Sequence, residues 1–175
     1  MTYGVDFWVL DPITGERLSR ALSAKGNRPL ILQPKTHAFA YPDNGSRGFL
    51  LLEDFAVEFV FRGMQWRMTV RAGFDFDGAS IPRWAWSIIG DPFALDILIA
   101  ALFHDLLFCA HHPAWPLHLT NALFLEIQQA CGSRWTKRNT TTTAVQACGW
   151  ALWKKSDADL ATYRPMLIAV PGLPT

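Results

Sequence analysis

What this sequence lacks narrows its class before any motif is found. No cationic stretch followed by an apolar run opens it, so it is expected to be made in the cytoplasm without a secretory leader. The longest oily stretch, residues 93–110, is broken by Asp96, His104 and Asp105 and is too short for a bilayer, which argues against an integral membrane protein. Neither sign of charge dominates: 16 Lys and Arg against 15 Asp and Glu leave a formal charge of +1. A broad nucleic-acid surface is therefore not expected. Cysteine is scarce too, with Cys109, Cys131 and Cys148 in no CxxC spacing, which excludes a disulfide framework and suggests buried thiols in a reducing compartment. Nor is there an internal repeat or a composition break marking a second domain.

What is present is apolar and aromatic. Half of the 175 residues are hydrophobic, with eight Trp and twelve Phe, enough for one sizeable core. So many aromatics fit either a Trp-rich interior or an indole left outside for a partner, and composition does not choose between them.

Two stretches alternate with period two. Phe55, Val57, Phe59 and Phe61 are apolar on odd positions, whereas Met64, Trp66, Met68 and Val70 are apolar on even ones. The phase flips across Arg62-Gly63. A two-residue turn there puts all eight side chains on one face, which predicts a hairpin over about 53–61 and 64–72. Residues 1–50 hold short strand candidates at 4–10, 30–33 and 49–52, separated by turn signals and expected as edge strands.

After Gly73 the period becomes helical. Asp91-Pro92 suits a helix start, the apolar run follows, and His111-His112-Pro113 ends it. A second helix is expected over about 117–130, stopped by Gly132. Ser133 is expected to cap a third over about 134–154, with Val145, Cys148, Leu152 and Trp153 inward despite the Thr140–Thr143 run. Strands first and helices after predict an α+β fold: an N-terminal antiparallel β-sheet packed on a C-terminal bundle of about three helices. Residues 1–160 read as a single α+β domain and 161–175 as an extended, Pro-containing tail.

Within the apolar run, His104-Asp105 stands out, because ionisable groups in such surroundings need partners. His104 lies about 9 Å from the end of its helix and Asn121 about 6 Å into the next, so antiparallel packing brings them to a similar height. The loop Asp75–Arg83 offers further partners. A purely local account makes Asp77-Gly78 a turn and Ser80 the cap of a short helix begun by Ile81-Pro82. A wider account brings Asp75 or Asp77 to the His-Asp pair. Two uses of the pair stay open. Asp105 could cap the amides of the 77–80 loop while His104 bonds Asn121, a polar staple. Alternatively, His104 could do general-base work. His111, His112 and His118 flank the helix–helix loop and offer a weak zinc site or simply face solvent.

Four segments, in order, carry a resemblance: Asp77-Gly78-Ala79-Ser80-Ile81-Pro82-Arg83, Phe103-His104-Asp105-Leu106-Leu107-Phe108, Asn121-Ala122-Leu123-Phe124-Leu125-Glu126, and Val145 to Trp153. Together they resemble the phage- and prophage-encoded family called domain of unknown function 1353, over about residues 50–154. The resemblance implies a phage or prophage origin, synthesis in the bacterial host cytoplasm and the virion as a candidate destination. It implies no established activity. Asn121 stands where the family usually has Asp, and Phe108 where Tyr is common.

A looser likeness supplies a mechanism. His-Asp on one helix, facing a polar residue on the antiparallel one, is similar to small phospholipases A2. That likeness implies His104 as general base, Asn121 as its orienting group, Asp105 as a calcium ligand and Asp77, with Asp75, as further oxygen ligands. The Gly- and Cys-rich calcium loop of those enzymes is absent. Two functions are therefore expected in competition. One is a phage accessory or virion-associated protein of the tail, baseplate or assembly machinery, partnered by other phage proteins or itself, with a buried Asp, Ser, His, Asp and Asn cluster whose catalytic status is open and in which Asp75, Ser80 and Arg83 are structural. The other is a metal-assisted hydrolase of a cell-envelope component, with calcium ahead of zinc.

Overall fold

The computed structural model describes residues 7–20, 32–36, 47–76, 94–153 and 157–174. At its centre is the hairpin of β5 (Phe55–Phe61) and β6 (Met64–Val70). Arg62 and Gly63 both take positive φ, 51° and 75°, so the turn is of the mirror-image type whose twist matches the strands. The register is Phe55↔Val70, Val57↔Met68, Phe59↔Trp66 and Phe61↔Met64, as the alternation predicts. All eight side chains share a face, and only Met64, beside the turn, stays exposed.

The hairpin sits inside a five-stranded antiparallel sheet. Strand β1 (Phe7–Leu10) pairs with β5, β2 (Arg17–Arg20) pairs with β1, and β8 (Leu167–Pro174) pairs with β6. The order is β2-β1-β5-β6-β8. Expectation needs correcting here: β1 is an inner strand rather than an edge. Residues 17–20, too polar to read as a strand, hold the edge because Arg17 reaches across to Glu58. The segment read as an extended tail is extended from Leu167, but it is a strand of the sheet, entered through helix and a 3-10 turn. A smaller sheet joins β3 (Leu32–Thr36), β4 (Arg47–Leu51) and β7 (Asp75–Phe76) in the order β3-β4-β7.

Four helices lie among the described residues: α1 (Leu95–Ala110), α2 (Leu117–Ala130), α3 (Trp135–Leu152) and α4 (Asp157–Tyr163). Helix α1 is the central one. Ile97, Ile99, Ala100, Ala101, Leu102, Phe103, Leu106 and Leu107 are all fully buried, which explains why its sequence is oily all round. It packs on α2, α4, β7 and β8. Its expected start at Asp91-Pro92 lies outside the described residues, and the described helix begins after Ala94. At its other end His111 turns left-handed and donates its N–H to the Leu107 carbonyl, while Arg164 Nε donates to the Ala110 carbonyl at 3.2 Å.

Gly132, at φ 80°, ends α2 as expected. Ser133 does not cap α3, however. Arg134 holds that position, and the Ser133 N–H donates to the Gln128 carbonyl, closing the preceding helix. The threonine run is tolerated because Thr140 and Thr141 donate their hydroxyls to carbonyls one turn back. Between helices and sheet, buried Trp115 packs against Phe59, Phe61 and Trp66, with ring centroids 6.2, 5.1 and 4.9 Å away. Most of the described aromatic rings line the interior, whereas Trp135 is 67% exposed. Cys109 and Cys131 are thiols, half-buried rather than fully so. No described helix is long and apolar enough to cross a membrane.

Candidate functional site

His104 projects from the middle of α1 toward α2, where Asn121 meets it: Nε2 lies 2.9 Å from the amide oxygen. The helical hairpin thus brings together the two residues whose spacing predicts it. On its other side Nδ1 lies 3.3 Å from a carboxylate oxygen of Asp105. The ring stacks on Phe108, one turn along α1, and meets Phe124 of α2 edge-on, at centroid distances of 5.9 and 5.3 Å. His104 is 6% exposed and Asn121 7%.

The protonation logic of this box is constrained. A carboxylate only accepts, so Nδ1 must donate to Asp105 when that group is ionised. With the Asn121 oxygen facing Nε2, that nitrogen is placed to donate as well. The Asn121 amide turned by half a revolution offers its N–H to Nε2 instead, and the neutral ring is then satisfied on both sides. Either way both imidazole nitrogens face a protein partner.

Other residues expected at the site fall differently. Asp77, Ser80 and Arg83 lie outside the described residues. Asp75 is described: it begins β7 opposite Leu50 and is half-buried. Burial first, then the nearby charges of Cys109, Asp75 and Asp159, push the Tyr163 phenol above its usual value. Asp75 therefore belongs to the seam of α1, α4 and β7, on which Cys109 sits one turn beyond Asp105.

The three further histidines differ in their contacts. His111 stacks flat on Trp153 at 4.3 Å, His112 Nδ1 accepts the Ala114 N–H at 3.3 Å, and His118 is exposed. Burial lowers the His112 pKa below the usual histidine value. Among the described residues no group of three or more His, Cys, Asp or Glu side chains is placed to hold a metal ion. Asp105, expected as a calcium ligand, turns one oxygen to His104, and its expected co-ligand Asp77 lies outside the described residues.

Sequence reasoning missed the aromatic box. Phe108 and Phe124 sit one turn along α1 from His104 and three residues beyond Asn121, a spacing that could have placed them beside the ring. It also missed Glu126, which closes the Asn121–Glu126 segment. Burial raises the Glu126 carboxyl, and the Arg62 charge from the β5–β6 turn pulls it partly back.

Three of the four segments fall within a single family match, and the fourth, Val145 to Trp153, begins at its last residue. The family model described as Protein of unknown function (DUF1353) matches residues 51–145, more than half of the chain, from the end of β4 into α3. No curated protein and no solved structure matches the chain.

Proposed function

We propose, for a chain that belongs to the DUF1353 family of proteins of unknown function, a non-enzymatic role as a phage-encoded accessory or virion-associated protein of the tail, baseplate or assembly machinery. One observation carries the non-enzymatic half. A general base must present a nitrogen to water or substrate. His104 turns Nε2 to Asn121 and Nδ1 to Asp105, and its ring is enclosed by Phe108 and Phe124. In that arrangement the pair fastens α1 to α2. The phage half rests on the order of the four segments and the phage- and prophage-encoded family they resemble; other phage proteins or further copies of the chain are the partners it suggests.

Mass spectrometry of purified particles, and of their assembly intermediates, from the phage carrying the gene tests this role. Peptides of this chain are expected in at least one of the two, and absence from both overturns it.

A metal-assisted hydrolase of an envelope lipid is favoured by a single observation: Asp105 keeps 16% of its side chain exposed beside the buried imidazole. Phospholipid vesicles supplied with calcium decide between the readings. No fatty-acid release is expected. Release that His104→Ala abolishes in a still-folded protein would replace the accessory role.

A further inference from the structure

The geometry points to a docking surface at the turn between α2 and α3: we propose that Trp135, with Arg134, Lys137 and Arg138, seats this end of the molecule on an anionic phospholipid surface. Trp135 is 67% exposed, whereas Trp66 and Trp115 are 8% and 1%. Among the Phe, Trp and Tyr residues whose side chains are described it is the one that is exposed. Arg134 and Arg138 are spaced by one helical turn, and Trp135 and Arg138 by three residues, so the indole and two guanidinium groups share a face.

The placement of these cations runs against the helix. Three positive side chains crowd the N-terminal end of α3, where the helix dipole favours anions, and its first turn contains no acidic residue. The composition of the two helices has the same bias. Across α2 and α3, residues 117–152, the sole acidic residue is Glu126, against Arg134, Lys137 and Arg138. Glu126 is itself half-buried and under the influence of Arg62. A chain that is almost neutral overall thus carries a cationic helical hairpin, whose complement is a surface of fixed negative charge.

Shape selects which anionic surface. Single-stranded nucleic acid is gripped in grooves where successive bases stack on several aromatics. This site is the end of a helical hairpin with one exposed indole among the described side chains, which fits a planar and deformable boundary. Trp settles at headgroup depth, and the long stems of Arg and Lys let their charges stay with the phosphates. The tip is formed in advance, since Gly132 is left-handed and the Ser133 N–H is bonded to the Gln128 carbonyl. It lies roughly 13 Å beyond Asn121 along α2, so docking needs neither Asn121 nor His104.

Co-sedimentation of the full chain with vesicles of equal phosphatidylcholine and phosphatidylglycerol tests the proposal, with phosphatidylcholine vesicles as control. Binding to the anionic vesicles alone is expected, weakening as salt is raised. With each cation worth about fivefold near an anionic surface, Arg134→Gln, Lys137→Gln and Arg138→Gln combined should weaken it about a hundredfold. Trp135→Ala should weaken it too while leaving the circular dichroism and melting temperature unchanged; Trp135→Phe should restore part of it. No binding to anionic vesicles overturns the proposal. So does binding that the tip variants leave intact, or binding to an oligonucleotide, lost in the same variants, without any vesicle binding.

Discussion

At the scale of single residues, the His104–Asn121 contact is a structural bond between helices. Asn121→Ala leaves a buried imidazole nitrogen without its partner, which costs about 1–3 kcal/mol. His104→Ala adds the loss of ring packing against Phe108 and Phe124 and is expected to cost about 2–4 kcal/mol. Urea unfolding of the two single variants and the double variant should give a coupling energy of about 1 kcal/mol or more; additivity would show that the bond stabilises nothing. A second buried group, Glu58, lies on the other face of the sheet. Burial alone would raise its carboxyl, but the hydrogen bond and charge of Arg17, with Arg67 and Gln65, outweigh that and hold it below the usual value. Its folded pKa is then lower than its unfolded one, so Glu58 adds stability at neutral pH that is lost as pH falls through the lowered value. Thermal melts across the acidic range should show a shallower loss in Glu58→Gln than in the parent. His104, Asp105 and Asn121 were legible in the sequence because ionisable groups in an apolar helix announce themselves and helical rise fixes their height. The stacking of His111 on Trp153 was not legible, since it joins the ends of two helices whose approach no local pattern records.

Among the elements, the β5–β6 hairpin was legible in full because two phase-shifted alternations admit one register. Its turn is also where a small change should tell most clearly. Gly63 has φ 75° and open space around the position of an added Cβ, so Gly63→Ala meets no clash and costs only the left-handed conformation. A loss of about 1–2 kcal/mol is expected by chemical denaturation, with the denaturant slope unchanged. A neutral result would mean that the turn has moved to another type. Helix α1 was equally readable, by its length and unbroken oiliness. By contrast, β2 was hidden by its polar composition: Arg17 lies over the Trp8 ring at 5.0 Å and bonds Glu58, so a charged side chain performs the packing that an apolar one performs elsewhere. The Ser133 cap failed for a related reason, because the backbone of that serine is already committed to closing α2.

Over the whole molecule, strand β8 was the least readable element. Its prolines suggest a tail, yet Leu167 to Pro174 lies along β6, with Val70 opposite Leu167 and Thr69 opposite Ile168. The pattern that would reveal it is held by a partner strand distant in sequence. Removing residues 167–175 should therefore strip a sheet strand, expose Trp66 and Met68, and abolish the cooperative thermal transition; a truncated chain that melts like the parent would show the pairing to be dispensable. The same connection has a consequence for how the chain is made. Closing the β6–β8 contact requires a loop of roughly 100 residues, and pairings of such high contact order form late and slowly. On the ribosome the β5–β6 hairpin emerges long before β8 and waits with one edge of β6 bare while all four described helices are still being synthesised. Bare strand edges recruit other chains, so the nascent protein is most exposed to aggregation during that wait, and β8 ends it.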